Sequence, residues 1–312
     1  MRVSITRSSA VRQSLALVLV LSACADAPTA PTRSPLIPLA DREARQIKCD
    51  PDNGGITLPS GFCAVVVADI VIDGAPAHAR HMAVTPSGDV FVAINSPSNK
   101  NPSFGIVGLR DKDGDGRADE QTQFSPALGG SGIAWRDGRL YFGANDRVLR
   151  FRLPDGQLSP TGSPEVVVAG LPNTGDHISK SIVLSGDNRL FVNIGSASNS
   201  CQVANRQLRS PGVFPCPELP VRAGVWAFDA RGTNQTEASG QHFATGYRNL
   251  VALAVNPQNG ALYAVQHGRD MLFENWPQFF SAEQGEVLPA EEFVRISGGS
   301  NNGWPYCYFD DV

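Results

Sequence analysis

The sequence predicts an all-β fold, a β-propeller built from four-stranded blades. The first observation is composition: the 312 residues include 31 glycines and 23 prolines, and no long segment has the apolar periodicity of an amphipathic helix. The second is an internal repeat, in which an apolar strand, a tight polar turn and a second apolar strand recur along the chain. Frequent turns between short strands are typical of all-β domains.

The repeat occurs four times, with a polar turn between two apolar strands in every copy. The turns are Ser87-Gly88, Asp137-Gly138, Asp187-Asn188 and Asn259-Gly260. Asp-Gly and Asn-Gly favour tight hairpins, because both central residues of such a turn take positive φ. The matched positions Val90, Leu140 and Leu190 lie 50 residues apart, whereas Leu262 follows after 72. About 22 extra residues are therefore inserted before the fourth copy, and the segment between Cys201 and Cys216 falls among them.

Further apolar segments flank the hairpins and bring each unit to about four strands. Residues 64–67 and 165–168 precede hairpins, and residues 104–109, 147–153, 224–230 and 292–296 follow them. Four-stranded units of about fifty residues are typical of propeller blades, which protect their edges by radial stacking. A β-sandwich of irregular hairpins is the alternative, which the regular spacing disfavours. Four blades are visible, and we expect a larger ring whose last blades are missing from this sequence.

The first 48 residues have the layout of an exported bacterial lipoprotein. Three arginines and no acidic residue precede the apolar run Leu15–Leu21, which is too short for a membrane-spanning helix. The run ends in Leu21-Ser22-Ala23-Cys24, which resembles a lipobox whose cysteine is acylated. An ordinary cleaved signal peptide is the alternative. We expect a signal peptide over 1–23, a flexible tether over 24–48 and the propeller over 49–312, anchored by lipid in the bacterial cell envelope.

Export predicts an oxidising compartment, in which the cysteines of the mature chain form disulfides. Cys49 and Cys63 flank one short loop, and Cys201 and Cys216 flank another. Each pair is a candidate bridge, and the spacing alone leaves the connectivity open. Cys307 is then left over near the end of the sequence, which is a second reason to expect that the chain stops early.

Composition and charge exclude several classes of protein. Hydrophobic residues make up 42% of the chain and charged residues 18%, which is typical of a globular domain and excludes a disordered chain or a coiled coil. The formal net charge is -4, and the sequence has no basic stripe with interleaved aromatic residues. A nucleic-acid partner is therefore not expected.

The segment 111–119 places acidic residues at alternate positions around two glycines. Ca²⁺ prefers such a cage of oxygen ligands. The predicted ligands are the side chains of Asp111, Asp113, Asp115 and Asp119, the last directly or through water, and the backbone carbonyl of Arg117. Thr122 occupies the twelfth position, so the bidentate glutamate of an EF-hand is absent. We interpret the segment as a Ca²⁺-stabilised blade loop, and a solvated acidic turn is the alternative.

Two polar segments precede consecutive hairpins at equivalent blade positions. Gly175-Asp176-His177 comes before the third hairpin, and Tyr247-Arg248-Asn249 comes before the fourth. Equivalent positions in neighbouring blades converge on the axis of a propeller, which favours a site there, although a lone loop histidine is usually a surface residue. Two later segments, Gln266–Asp270 and Gly298–Cys307, carry glycines that permit close approach of a ligand. A turn beside a buried Trp304 is the alternative for the second of these.

Several of these segments, taken in order, match one known family. They are Ile56–Phe62, the loop 111–119, Asp176–Gly195, Ala244–Asn249 and Asn302–Pro305. With them the chain resembles the quinoprotein sugar dehydrogenases, which comprise soluble aldose dehydrogenases and sorbosone dehydrogenases, from about Gly55 to Tyr308. The resemblance implies a six-bladed propeller that binds pyrroloquinoline quinone (PQQ) and Ca²⁺. It also implies oxidation of a sugar's anomeric hydroxyl by hydride transfer to PQQ.

The resemblance implies a role for each matched residue. His177 corresponds to the general base that removes the proton of the anomeric hydroxyl. Arg248 corresponds to the arginine that stabilises negative charge on the quinone oxygen, and Asn249 to its neighbour at the cofactor. The backbone carbonyls of Gly268 and Arg269 correspond to those that bind the Ca²⁺ ion polarising PQQ.

The sequence departs from the family pattern at three points. Ser196 stands where the soluble glucose enzymes have an aspartate that orients the base, which weakens the expectation of a fully activated His177. Arg269 replaces a proline, which matters less because only its carbonyl is used. The family's lysine and arginine residues that hold the PQQ carboxylates come from the last two blades, which this sequence lacks.

Two functions from different classes fit these observations. The first is a PQQ-dependent sugar dehydrogenase, here as an incomplete sequence. The second is a non-catalytic propeller that binds carbohydrate or protein in the cell envelope. The matched site residues favour the first, and Ser196 and the missing blades favour the second. A propeller lyase or lactonase is a weaker third possibility, because the central set of glutamate, asparagine and aspartate ligands cannot be assembled here.

Overall fold

The computed structural model describes residues 47–72, 74–95, 105–124, 129–289 and 291–308. The predicted signal peptide and the acylation site at Cys24 lie outside these residues. Within the described ranges, no helix has the length and apolar character needed to cross a bilayer. The boundary between tether and propeller at residue 49 stays a prediction.

Four sheets follow one another along the chain. A short hairpin of β1 (Val71–Ile72) and β2 (Ala75–Pro76) precedes them. The first sheet has the order β3 (His78–Val84), β4 (Val90–Asn95), β5 (Gly105–Arg110) and β6 (Glu120–Phe124). The second has the order β7 (Gly130–Arg136), β8 (Arg139–Ala144), β9 (Val148–Arg152) and β10 (Glu165–Ala169). All neighbouring strands in these two sheets are antiparallel.

The remaining two sheets come from the second half of the chain. The third has the order β11 (Ile182–Leu184), β12 (Arg189–Ile194), β13 (Gly224–Asp229) and β15 (Gln241–Thr245). Its connection β14 (Gln235–Thr236) instead pairs in parallel with β10 of the second sheet. The fourth has the order β16 (Leu250–Val255), β17 (Leu262–Gln266) and β18 (Glu292–Ile296). Two short helices, α1 (Leu272–Asn275) and α2 (Ala282–Val287), lie between β17 and β18.

The sheets are arranged as the blades of a propeller. Strand β3 contacts β7, β7 contacts β11, and β11 contacts β16, so the first strand of each sheet lies at the centre of the arrangement. Loops that enter these inner strands therefore come together near the axis. The predicted all-β propeller with about four blades is confirmed.

The repeat hairpins form the two innermost strands of each blade. In the second blade, Arg136 pairs with Arg139 across the predicted turn. Asp137 and Gly138 between them have φ of 51° and 71°, the positive values that a two-residue hairpin turn requires. The turn chemistry that was visible in the sequence therefore sets the register of the hairpin.

The predicted order of the outer strands is wrong. Residues 64–67 form no strand, and residues 165–168 lie in β10, the outer strand of the second blade rather than the first strand of the third. Each hairpin is innermost, so a blade adds its outer strands after the hairpin and not before it. Residues 64–67 instead run beside the acidic loop, where Val67 accepts a backbone hydrogen bond of 2.8 Å from Ala118.

The core lies between adjacent blades, and alternation along each strand fills both interfaces. On β8, Leu140 and Phe142 pack in the cluster between the first and second blades, whereas Tyr141 packs in the cluster between the second and third. On β12, Phe191 likewise packs toward the fourth blade and Leu190 toward the second. Each such side chain contributes roughly 1.5–3 kcal/mol by leaving water. Period-two alternation therefore joins the blades to one another.

Both predicted disulfides are present. The sulfur atoms of Cys49 and Cys63 are bonded to each other, as are those of Cys201 and Cys216. Cys307 is exposed and is the free cysteine of the described part of the chain. The second disulfide closes the long connection between β12 and β13, so the inserted residues form a covalently closed loop on the third blade.

Candidate active site

A cavity of about 520 Å³ lies at the loops that enter the inner strands. Small-molecule sites in proteins typically have volumes of about 300–1,000 Å³. Its lining is polar and includes four of the chain's five histidines: His78, His81, His177 and His267. Arg80 and Asn249 also line it. The predicted convergence of the loops before the third and fourth hairpins is therefore present.

His177 is held in one orientation by Ser196. Its Nδ1 atom lies 3.0 Å from the carbonyl oxygen and 2.9 Å from Oγ of Ser196. A carbonyl oxygen only accepts, and the Ser196 hydroxyl already donates to the carbonyl of Ser198 at 2.7 Å. The neutral ring therefore carries its hydrogen on Nδ1, which leaves the lone pair on Nε2.

The surroundings of His177 keep the imidazole neutral. Burial, and next the positive charge of Arg248, lower the pKa of His177 to about 4. Asp176 acts in the opposite direction, but its carboxylate is already engaged with Arg206. At neutral pH the ring is therefore unprotonated and able to accept a proton.

A glycine lets the base and its neighbours approach one another closely. A Cβ atom on Gly195 would lie 2.6 Å from Cβ of His177 and 3.2 Å from Oδ1 of Asn249. Both distances are shorter than ordinary carbon contacts. The absence of a side chain at Gly195 therefore brings the base and the amide of Asn249 side by side.

Arg248 is buried beside the cavity rather than within it. The residue is 3% exposed, and its Nε donates to the carbonyl of Asn199 at 3.0 Å. Its Nη2 donates to Oδ1 of Asn199 at 2.9 Å and to Oδ1 of Asp270 at 3.1 Å. Burial lowers the pKa of Arg248, and Asp270 counteracts this as the first of the charged neighbours. The guanidinium is thus a fixed buried cation.

The predicted carbonyl ligands lie in an adjacent cleft. Gly268 and Arg269 line a narrow cleft of about 20 Å³ together with Arg248 and Tyr308. The Arg269 guanidinium carbon lies 4.8 Å from the centre of the Tyr308 ring, and its buried Nε has no hydrogen-bond partner among the described residues. His267 lines both spaces. The structure therefore places His177 and Asn249 in the cavity. It places Arg248, Gly268 and Arg269 in the adjacent cleft.

The acidic loop between β5 and β6 lies apart from this site, since none of its residues lines either space. Carboxylate oxygens of Asp111, Asp113 and Asp115 lie within 4.8 Å of one another, as a shared cation would require. Asp119 is not in this group, and its carboxylate accepts a 2.7 Å hydrogen bond from the backbone of Lys112. The Arg117 side chain forms an ion pair of 2.5 Å with Asp50.

Burial raises the pKa of Asp111, but its hydrogen bonds with the backbone of Gly116 and Gly114 outweigh that effect and lower it. These bonds measure 2.9 and 2.6 Å. The Asp111 carboxylate is therefore ionised and fixed at the centre of the loop. A charged and ordered carboxylate is suited to bind a hard cation.

Three polar residues that support the site, of which Asn199 and Lys180 are buried, carry no distinctive sequence signal. The carbonyl of Asn199 accepts hydrogen bonds from Nε of Arg248, at 3.0 Å, and from the indole Nε1 of Trp304, at 3.1 Å. Glu218 accepts from the backbone of Ala197 at 2.5 Å. Lys180 is fully buried, and its amino group donates to the carbonyls of Pro172, at 2.8 Å, and Ile178. These contacts fix the loops on either side of His177.

Comparison with known proteins identifies the family. A family model described as TrAA12-like matches residues 77–310, about three quarters of the sequence. The chain belongs to the TrAA12-like family. The predicted resemblance to PQQ-dependent sugar dehydrogenases is thereby confirmed at the level of the family.

A curated relative of this TrAA12-like protein is a pyrroloquinoline quinone-dependent sugar dehydrogenase of Hypocrea jecorina (strain QM6a). The two are 28% identical over 150 residues, which cover 46% of this chain and 32% of the relative. The iodide structure of Trichoderma reesei Carbohydrate-Active Enzymes Family AA12 matches with a TM-score of 0.56 at 20% identity, over 74% of this chain and 56% of that one. This match supports the propeller fold.

A further solved structure is the PQQ-bound form of an aldose sugar dehydrogenase from Streptomyces coelicolor. It is 19% identical, with a TM-score of 0.48, over 77% of this chain and 65% of that one. The TrAA12-like chain spans about a third of the curated relative and about half of the Trichoderma structure.

Proposed function

We propose that this TrAA12-like protein is a PQQ-dependent sugar oxidoreductase in which His177 accepts the proton of the sugar's anomeric hydroxyl. The observation that carries the proposal is the fixed tautomer of His177 in a cavity of about 520 Å³. Nδ1 of His177 donates its hydrogen to Ser196, so Nε2 holds the lone pair that a general base needs. The relatives named for PQQ and sugar support this choice of reaction class.

The polar groups of the site fit a cofactor rich in oxygen acceptors. PQQ carries carboxylates and quinone oxygens, and the cavity wall supplies Arg80 and the histidines other than His177 as donors. Asn145 also lines this cavity, and its buried Oδ1, which has no hydrogen-bond partner in the described part of the chain, is an acceptor suited to a hydroxyl of the sugar rather than to the oxygens of the cofactor. The unpaired Nε of Arg269 lies in the adjacent cleft. Buried groups without partners are those that a bound polar molecule satisfies.

Each residue of the site has a separate role in the proposed reaction. His177 accepts the proton of the anomeric hydroxyl on Nε2, while the carbon that bears this hydroxyl gives up a hydride. PQQ, when bound, is the acceptor of that hydride. Arg248 supplies a buried positive charge for negative charge that develops nearby, and Asn249 offers an amide beside the base. The carbonyls of Gly268 and Arg269 would hold Ca²⁺ in the cleft beside Arg248.

Ser196 changes how the base is tuned. A neutral hydroxyl and a carbonyl orient His177 without adding the negative charge of an aspartate. Burial and the charge of Arg248, which lower the pKa of the ring, therefore outweigh the hydrogen bond to the Ser196 carbonyl, which raises it. The proposed enzyme therefore has a weaker base that stays unprotonated at mildly acidic pH. Orientation of the ring, which the sequence left in doubt, is provided by the two contacts to Ser196.

Titration of the protein with PQQ in Ca²⁺ buffer tests the proposal. We expect saturable binding, followed by absorbance, and then sugar-dependent reduction of the bound quinone when aldoses are added. Binding without reduction by any aldose would contradict the reaction class. No binding would contradict the proposal as a whole and favour a non-catalytic propeller that binds carbohydrate or protein.

The acidic loop is proposed to bind a structural Ca²⁺ ion, because three carboxylates lie within 4.8 Å of one another. Ca²⁺ is expected to raise the melting temperature, since an ion that binds only the folded state stabilises it. Asp113→Asn keeps the side-chain shape but removes one charge, and should weaken Ca²⁺ binding on the order of tenfold. Calorimetry measures the affinity, with Asp137→Asn on the exposed turn of the second blade as control. Equal affinity in all three proteins would show that the loop is only an acidic turn.

Acylation of Cys24 and a location in the bacterial cell envelope are proposed from the sequence alone. Both depend on the lipobox at residues 21–24.

A further inference from the structure

We propose that Arg206, on the disulfide-closed loop of the third blade, is a positioning residue that neutralises Asp176 beside the base His177, which extends the acidic range in which His177 stays unprotonated, and that holds Arg248 in place. This assignment rests on the proposed function, because His177 and Arg248 are the residues that it serves. Arg206 does not line the cavity and acts through two carboxylates.

Arg206 bridges two acidic residues that each adjoin a site residue. Its Nε donates to Oδ2 of Asp176 at 2.8 Å, and its Nη1 donates to Oδ1 of Asp270 at 2.8 Å. Asp176 immediately precedes His177, and Oδ1 of Asp270 also accepts from Nη2 of Arg248 at 3.1 Å. The ion pairs therefore run from Asp176 through Arg206 and Asp270 to Arg248 without a break.

The loop around Arg206 is built to hold this position. The disulfide between Cys201 and Cys216 closes it, and Val213 donates a backbone hydrogen bond of 2.8 Å to Cys201. Asn205 donates to both carboxylate oxygens of Asp176, at 3.2 and 3.1 Å. In the second blade the equivalent connection, between β8 and β9, comprises only residues 145–147, so a blade does not by itself require a long loop at this place. Asn205 and Arg206 of this loop make side-chain contacts with Asp176, and Arg206 also contacts Asp270.

The charges explain what the bridge does. Asp176 favours the protonated imidazole of His177, whereas Arg206 and Arg248 disfavour it. Arg206 neutralises Asp176 and shares the charge of Asp270, so that Asp270 compensates the positive charge of Arg248 only in part. The bridge is partly screened by water, since the side chains of Arg206 and Asp176 are 29% and 24% exposed. A moderate effect on His177 is therefore expected.

Other titratable groups face the same cavity and stay unchanged when Arg206 is replaced. They are His78, Arg80 and His81 on β3, and His267 after β17. Lys180, in the segment of His177, has a pKa lowered to about 7, with burial as the main cause. A difference between variant and wild type therefore reports on Arg206 and on the acids that it holds.

Arg206→Gln tests the assignment in the full chain without any cofactor. Titration of histidine side chains by NMR should show the pKa of His177 rising by roughly one pH unit, because a cation is lost and Asp176 is released. Arg209→Gln is the matched control, since Arg209 is exposed on the same loop and forms no ion pair within the described ranges. Near-ultraviolet circular dichroism checks that the variants remain folded.

Two further variants separate an electrostatic role from a merely structural one. Arg206→Lys keeps the charge but cannot bridge both acids, so the pKa of His177 should rise less than in Arg206→Gln. Adding Asp176→Asn to Arg206→Gln should reverse most of the rise, because the released carboxylate is then absent. An unchanged His177 titration in folded Arg206→Gln would overturn the assignment, and so would an equal rise in Arg209→Gln.

The outcome is distinguishable from failure of the proposed function. A rise in the pKa of His177 in a protein that binds no PQQ would support the bridge and reject the enzyme. PQQ-dependent sugar oxidation whose acid limb is the same in wild type and Arg206→Gln would support the enzyme and reject the bridge. In an active enzyme, we expect that limb to move to higher pH in Arg206→Gln.

Discussion

Replacing His177 with glutamine should lower the rate of sugar oxidation by about 10²- to 10⁴-fold, the usual contribution of a general base. Glutamine retains a donor that can reach Ser196 but offers no basic nitrogen. The anomeric proton would then have no acceptor at the position of Nε2. PQQ binding should change little, because the substitution conserves polarity and approximate volume. Stopped-flow absorbance of the bound quinone, with saturating sugar, measures the rate.

His242→Gln provides the matched histidine control for this experiment. His242 stacks on Trp226 with ring centres 4.0 Å apart and does not line the cavity. A rate within a few-fold of wild type is expected for this control. If His177→Gln also retained such a rate, another group would have to be the base and the proposed mechanism would be wrong.

The pH dependence should follow the same residue. Because the pKa of His177 is lowered to about 4, the acid limb of kcat/KM should lie near pH 4 rather than near the ordinary histidine value. The unfolded chain binds more protons at this position than the folded chain between about pH 4 and 6.5. The free energy of unfolding therefore falls as the pH is lowered through that window. His177→Gln should remove this part of the dependence.

The second large effect is expected from Arg248→Met, which should lower the free energy of unfolding by about 2–4 kcal/mol. The variant removes the guanidinium donor from each of the two Asn199 oxygens, which keep only the Trp304 indole and the backbone N–H of Asp270, and it removes the buried partner of Asp270. The expected loss lies in the lower part of the range for buried ion pairs because the Asp270 side chain is 56% exposed. PQQ affinity should fall in the same variant, since Arg248 supplies the positive charge beside the proposed site.

Urea denaturation and PQQ titration measure these two losses separately. Arg152→Met is the control, because Arg152 is exposed at the end of β9 and lines neither the cavity nor the adjacent cleft. Arg248→Lys should recover part of the stability but not the paired contacts with Asn199. A loss below about 0.5 kcal/mol in Arg248→Met, the size of an ordinary surface substitution, would contradict the buried-cation interpretation.

The parts of the fold that the sequence predicted correctly are those encoded in short windows. Asp137-Gly138 requires positive φ at both positions, and the alternation of Leu140, Tyr141 and Phe142 assigns each residue to one face of a strand. The spacing of the four hairpins then gives the number of blades. These signals depend on neighbours within a few residues, so they can be recognised in the sequence without knowledge of the tertiary packing.

The errors and gaps concern contacts between distant segments. Residues 64–67 have the apolar composition of a strand, yet no partner edge is available to them because each hairpin is innermost in its blade. The choice between two possible partners of an apolar segment depends on the whole arrangement of sheets. The outer-strand order could therefore not be deduced from pattern alone.

The candidate site shows the same division between local and distant information. The sequence by itself determined the propeller repeat, the acidic loop and the histidine and arginine at equivalent blade positions, and it offered the two cysteine pairs as candidates. Only the tertiary structure decided that Ser196 orients His177, that Asn199 and Asp270 hold Arg248, and that Arg206 reaches both acids. These partners lie 19 to 64 residues apart in the chain. A hydrogen bond over such a separation depends on how blades and loops pack, whereas turn geometry and strand alternation are fixed by adjacent residues.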